Sequence, residues 1–365
     1  MNGGFWDNLP KPFFTLAPMA DVTDAVFRQV IAEIAKPNVF FTEFTSADGL
    51  SHVKGREKLL INFRYSELER PIVAQIFGSR PENIHKAAAL CKDLGFDGVD
   101  INMGCPDKKV EKQGAGAALI KTPKLALEII DAALEGCAPL PVSVKTRLGY
   151  NEVDLAWLEM LMNTRIAALT VHLRTRKEMS KVGAHWELAG ELRKKFPQRA
   201  PSEKIPSRTT AELLAPPSDE ARSPVSPRLG TLSERARNGG ISHSLLIANG
   251  DVEDMRDARE KAEKYNLDGI MLGRAIFGNP WLFLQGEKSP ERSRGAGKPP
   301  WPEVFATMIH HSNLFEKEFT GIKSFAVMRK FFGAYLSGHP RATELKIKLM
   351  TCDNAHDVEK LILGI

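Results

Sequence analysis

Eight short apolar runs recur along the first three-quarters of this chain, each bounded by turn residues and nearly all followed by a helical pattern. The runs are FFTLA (13–17), VFFTE (39–43), IVAQI (72–76), GVDIN (98–102), VSVKT (142–146), ALTVHL (168–173), LLIAN (245–249) and GIML (269–272). Helical periodicity marks 26–34, 81–95, 122–136, 153–163, 185–196 and 252–266, and AIFGNPWLF (275–283) follows the last run. Uninterrupted apolar strands alternating with helices predict a parallel sheet buried on both faces. Eight such units predict an α/β fold of the (β/α)8 barrel type. The alternative, an open doubly wound sheet, wants a G-x-G-x-x-G turn after its first strand, and none is present.

Two stretches break the rhythm. Residues 197–240 are rich in Pro, Ser, Arg and Ala and poor in large apolar residues. Such a composition cannot bury a core, so disorder is expected, with one short helix near 209–215. The stretch lies between a helix and the next strand, which in a barrel is the face opposite the active site, so a lid role is not expected. Residues 285–300 have the Gly, Pro and charge content of a linker. Beyond it, 301–319, 321–338 and 342–352 predict amphipathic helices, and 357–363 a short final turn. The expected organisation is a catalytic barrel over 1–284 carrying the insertion, a linker over 285–300, and a small helical domain over 301–365 (a TIM barrel with an all-helical appendage).

A chain of 365 residues with 43% hydrophobic content can fill one large and one small core. The net charge of +5 is compatible with a nucleic-acid partner without requiring one. No apolar run is long enough to span a membrane, and the start of the chain lacks the basic and apolar regions of a secretion signal. Four scattered cysteines without a C-x-x-C pair argue against a disulfide framework or a zinc site, so a cytoplasmic location and no metal are expected.

In a barrel enzyme the polar residues at the C-terminal ends of the strands are the first candidates for chemistry. Here those positions hold Pro18, Met19 and Ala20; Thr42 and Glu43; Gln75; Asn102 with a Gly104-Cys105-Pro106 loop; Lys145 and Arg147; His172 and Arg174; Asn249, Gly250 and Asp251; Gly273 and Arg274. Gly250 and Gly273 follow the last two strands, where bare backbone N–H groups can approach a phosphate, with Arg274 adding charge. Lys145 and Gln75 have the chemistry to meet a flavin ring, the ammonium near its anionic edge and the amide on its mixed donors and acceptors.

Read in order, APMADVTDAVFR (17–28), DINMGCP with KKVEKQGAGAAL (108–119), VKTRLG (144–149), VHLRTR (171–176), ANGDV (248–252) and DGIMLGRAIFGNPWLF (268–283) resemble the tRNA-dihydrouridine synthases. SFAVMRKFFGAYLSGHP (324–340) resembles, more loosely, that family's tRNA-binding helical domain. The resemblance implies an enzyme that binds FMN, takes electrons from NADPH or NADH, and reduces specific uridines of tRNA, as a cytoplasmic monomer. It assigns FMN to Pro18, Met19, Gln75, Lys145, His172, Asn249, Asp251, Gly273 and Arg274, joined by their neighbours Ala20 and Gly250. It assigns Cys105 as catalytic acid, with Asn102, Arg147 and Arg174 on the substrate side. The chain departs from the family at Leu173, where a Gly is usual and a larger side chain would narrow the approach to the flavin phosphate. It also departs in carrying the 197–240 insertion.

Reducing the uridine C5=C6 bond requires a hydride and a proton on adjacent carbons. The resemblance routes the hydride from flavin N5 to C6 and the proton from Cys105 to C5. An ordinary thiol is mostly protonated at neutral pH yet acidic enough to donate. A uridine inside folded RNA must also be extruded to reach such a site. Two alternatives remain: an FMN barrel oxidoreductase acting on a free pyrimidine, like a dihydroorotate dehydrogenase, and a non-catalytic RNA-binding protein.

Overall fold

The computed structural model describes residues 3–198, 244–284 and 298–364. Its strands are β1 (Phe13–Leu16), β2 (Phe40–Phe41), β3 (Thr45–Ser46), β4 (Ile72–Phe77), β5 (Gly98–Asn102), β6 (Val142–Arg147), β7 (Ala168–His172), β8 (Leu245–Asn249) and β9 (Gly269–Leu272). They pair in the order β1-β9-β8-β7-β6-β5-β4-β2, every pairing parallel. β3 also pairs with β4, so β2 and β3 are two pieces of one interrupted strand. The circle closes where Thr15 bridges Val39 and the Leu16 N–H donates to the Val39 carbonyl at 3.2 Å. This is the expected (β/α)8 barrel.

Strand periodicity sends alternate residues inward. Phe13, Val39, Phe41, Val73, Ala168, Leu245, Ile247 and Met271 form one interior cluster, and Trp6 packs against Phe13 and Phe41. Gly269 makes room for this plug, because a Cβ there would stand 2.5 Å from the Phe13 ring. The other alternates face the surrounding helices and make the larger core. Three of those helices start at aspartate caps: Asp24, Asp154 and Asp254 accept N–H bonds from Phe27, Trp157 and Asp257. Each such cap contributes about 1 kcal/mol.

The segment after β9 forms no α-helix, only the 3-10 turns Arg274–Ile276 and Leu282–Leu284. Gly278 adopts a left-handed φ of 72° and Pro280 disfavours helix at Asn279, which interrupts the pattern. Beyond it lie the helices Trp301–Phe319, Arg329–Tyr335, Ala342–Leu349 and Ala355–Leu363. The helix expected over 321–338 is shorter, confined between Gly321 and Gly338, both at positive φ, and begins with a 3-10 turn at Phe325–Met328. The final turn expected over 357–363 is a full helix, capped by Asn354 on the Asp357 N–H. Most of the 197–240 insertion and of the 285–300 linker lies outside the described residues.

The helical region docks on the barrel through rings. Phe27 stacks on His311 at 5.3 Å and meets Phe331 at 5.0 Å, and Trp281 meets Tyr335 edge-on at 6.5 Å. Phe27, Phe331 and Tyr335 are fully buried, each worth about 2–3 kcal/mol of apolar burial. On the mouth side, Lys323 stands 4.0 Å from the carboxylates of both Asp24 and Glu43. At Gly278 the contact is so close that a Cβ would stand 2.3 Å from the Ala334 backbone. Gly278→Ala is therefore expected to lower stability by about 1–3 kcal/mol. The check is the midpoint of urea unfolding; an unchanged midpoint would mean that loop and helix separate without cost.

Candidate active site

Cys105 sits in the loop that leaves β5, and Asn102 shapes that loop. The Asn102 Oδ1 accepts the main-chain N–H groups of Gly104 at 3.1 Å and Cys105 at 2.9 Å. From the other side, the Cys105 carbonyl accepts the Ala117 N–H at 3.0 Å. Gly116 permits that approach: its φ is 61°, and a Cβ would stand 2.8 Å from the Cys105 oxygen. The half-buried Cys105 packs against Phe77, Val110 and Ala115. Burial pushes its thiol above the usual value, against the pull of the Asp107 N–H and of the Arg147 and Lys145 charges. The thiol is thus held protonated at neutral pH, as a proton donor requires.

Beside it, Lys145 on β6 lies 3.4 Å from Asn249 Oδ1 on β8, and the Asn249 amide donates to the Met271 carbonyl at 2.8 Å. Burial, then the neighbouring Arg147 charge, push Lys145 down to about 8, so it is still mostly cationic at neutral pH. His172 lies at the end of β7, its Nε2 3.2 Å from an Arg174 guanidinium nitrogen. An arginine can only donate, so this nitrogen accepts and the ring proton sits on Nδ1. Burial, reinforced by the Lys145, Arg147, Arg174 and Arg274 charges, pushes His172 down to about 2. The ring is neutral.

Asp251, at a left-handed φ of 46°, accepts from Arg174 and Arg274 and from the Ala184 N–H at 2.9 Å. The Arg174 hydrogen bond holds its carboxyl below the ordinary value. The main-chain N–H groups of Asp251, Gly273 and Arg274 have no main-chain acceptor among the described residues. Two loops with unpaired donors, beside the largely exposed Arg274, have the chemistry of an anion cradle and fit a flavin phosphate. Pro18, Met19 and Ala20 border it: a Cβ on Gly273 would stand 3.8 Å from the Met19 sulfur.

Three of the expected residues lie deeper than the sequence indicates. Gln75 is fully buried, its amide committed to Asp100 and Asn102. Arg147 is 7% exposed and donates to the carbonyls of Gly104, Thr175 and Met179, tying the loops after β5 and β7 together. Arg174 is 3% exposed and is spent on Asp251, His172 and the Val182 carbonyl. Leu173 turns into the core between barrel and helices, so its side chain does not narrow the mouth.

Two contributors, and the role of one strand-end residue already singled out, escaped the sequence reading. Ser143 and Asp100 lie beneath the mouth on neighbouring strands. Glu43 accepts the Asp21 N–H at 2.5 Å and so anchors the loop that carries Met19 and Ala20. Its carboxyl is raised by burial against the opposing Lys323 charge. Period-two alternation back from Asn102 would have exposed Asp100; no local pattern announces the Glu43–Lys323 approach.

Fold and mouth define a class, a (β/α)8 barrel enzyme with a protonated thiol, a half-buried lysine and an anion cradle around one opening. A family model described as "Dihydrouridine synthase (Dus)" matches residues 15–201 and 241–363, passing over 202–240. A protein named "Probable tRNA-dihydrouridine synthase" from Staphylococcus aureus (strain COL) is 39% identical over 365 residues, covering 99% of this chain and 95% of its own length. "Probable tRNA-dihydrouridine synthase 2" of Bacillus subtilis (strain 168) is 39% identical over 367 residues, covering 99% and 96%. The chain belongs to the dihydrouridine synthase family.

The Arg174 contact and the burial of His172 together predict a ring that keeps its Nδ1 proton and stays uncharged from about pH 5 to 8. Nitrogen-15 chemical shifts of labelled histidine read this directly. A His172 titration near the ordinary histidine value would contradict the geometry.

Proposed function

We propose that this chain is an FMN-dependent tRNA-dihydrouridine synthase, reducing the C5=C6 bond of particular uridines in tRNA with electrons from NADPH or NADH. The observation that carries the reading is Cys105, a thiol kept protonated at the barrel mouth beside Lys145 and across from an anion cradle. The family match and the relatives' names support the substrate. FMN would be held by Pro18, Met19, Ala20, Lys145, His172, Asn249, Gly250, Asp251, Gly273 and Arg274, with Gln75 acting from beneath by holding Asn102 instead of touching the flavin as expected, and when bound FMN supplies the reducing equivalents.

The chain's own residues supply the rest. The free N–H groups of Asp251 and Gly273 and the Arg274 guanidinium bind the phosphate, with the Asp251 carboxylate aiming Arg274. The Lys145 ammonium offsets negative charge as it develops in the transition state. The His172 Nδ1–H donates a hydrogen bond without adding charge. The Cys105 Sγ–H gives its proton to C5, and Asn102 holds the loop that carries it. Arg147 and Arg174 act on the substrate side by bracing the loops it meets.

The helical region over 301–364 is the proposed tRNA-binding domain, and the protein is proposed to work as a cytoplasmic monomer without a resident metal. Lys323, anchored toward Asp24 and Glu43, keeps that domain registered with the mouth. No helix among the described residues is long and apolar enough to cross a membrane.

Cys105→Ala is expected to retain flavin and to slow the oxidation of pre-reduced flavin by tRNA by about 10²–10⁴-fold, the usual scale for losing a positioned acid. In the native enzyme that rate should fall as pH rises through the thiol's raised pKa, because only the protonated form donates. Stopped-flow single turnover measures both. An unchanged rate in the variant would remove Cys105 from the reaction.

A further inference from the structure

The geometry points to Asp100 as a positioning residue that fixes the direction in which the Gln75 and Asn102 amides face, and thereby holds the Cys105 loop. The inference rests on reading Cys105 as the proton donor.

Asp100 lies inside the barrel, fully buried in the middle of β5. Its Oδ1 accepts from Ser143 Oγ at 2.6 Å and its Oδ2 from Gln75 Nε2 at 2.7 Å. Gln75 Oε1 accepts from Asn102 Nδ2 at 3.0 Å, which leaves Asn102 Oδ1 for the N–H groups of Gly104 and Cys105. Two amide side chains, Gln75 and Asn102, therefore connect one carboxylate to the backbone of the reactive cysteine.

The direction of this relay follows from what each group can do. A side-chain amide has two ends of nearly equal size, and only its partners decide which end points where. An ionised carboxylate only accepts, so the Gln75 NH2 must face Asp100 and its oxygen must face Asn102. Asn102 must then present its NH2 to Gln75 and its oxygen to the loop. Reversed, the relay would set an NH2 group against two main-chain N–H donors, leaving buried donors unpaired. One negative charge on β5 thus selects the loop conformation that carries Cys105.

The surroundings keep that charge in reach of titration. Burial raises the Asp100 carboxyl to about 6, opposed by the Ser143 and Gln75 hydrogen bonds and by Lys145 on β6, the charged group facing it. The carboxylate, and with it the constraint, is present above that value and is lost as pH falls through it. A protonated Asp100 can donate to Gln75 Oε1, which allows the relay to reverse.

The test is a double-mutant cycle on the holoenzyme. Asp100→Asn removes the charge at constant shape and leaves both amide directions open. It is expected to retain flavin and to slow tRNA-dependent flavin oxidation by about tenfold or more, the scale of a small misplacement of a reacting group. In a Cys105→Ala background the same substitution should add nothing. A full, multiplicative loss in that background would overturn the inference, as would wild-type oxidation rates in Asp100→Asn. A Cys105→Ala variant that itself oxidises normally would instead refute the proton-donor reading. Should Asp100→Asn not fold, the unaltered enzyme carries the test. Its single-turnover rate should drop below about pH 6, a limb that thiol protonation cannot produce and that should vanish in Cys105→Ala. A flat profile in the unaltered enzyme would overturn the inference.

Discussion

Closure of the sheet at Thr15 and Val39 is the constraint on which everything else depends. Once the strands form a circle, alternate residues of every strand share one interior and must be mutually compatible. The lower part resolves this with apolar side chains around Phe13 and Trp6. The upper part resolves it with Gln75, Asp100, Asn102, Ser143, Lys145, His172 and Asn249, all on inward positions of strands that neighbour one another. The site is therefore the polar cap of the barrel's own core.

That origin explains why so many charges at the mouth are buried. Arg147 and Arg174 are drawn from a strand end and the loop just after one, and removing such groups from water is costly unless each donor finds a partner, which for Arg174 includes the half-buried Asp251. Arg147 finds three carbonyls, and Arg174 finds Asp251, His172 and Val182. These bonds fix the loops after β5, β7 and β8 relative to one another. The charges left facing the opening, Lys145 and Arg274, are then the ones available to a bound group. The helical region adds a further constraint by setting Lys323 opposite Asp24 and Glu43, beside the loop that borders the anion cradle.

Much of this was legible in the sequence because the controlling signal is periodic. All eight strand positions fall where short apolar runs alternate with helices, and residues chosen as strand ends do converge on one mouth. What stayed hidden depends on three-dimensional neighbours. The runs VFFTE and AIFGNPWLF look continuous, yet in the first the strand stops at Phe41 and resumes only beyond the run, at Thr45–Ser46, and the second is broken at Gly278 and Pro280. Arg147 and Arg174 look like charges offered to an anion; only the positions of carbonyls on other loops reveal them as braces. Asp100 looks like a polar interruption of an apolar strand, and its meaning appears only when Gln75 and Ser143 stand on either side.

The central claim is that this mouth reduces uridine within tRNA. The direct measurement incubates tRNA from a strain lacking the enzyme with the flavin-loaded protein and NADPH, then maps nucleosides by mass spectrometry. The account predicts that defined uridines gain two hydrogens and that free pyrimidines, including orotate, are not turned over. Turnover of a free pyrimidine with the tRNA unaltered would contradict it.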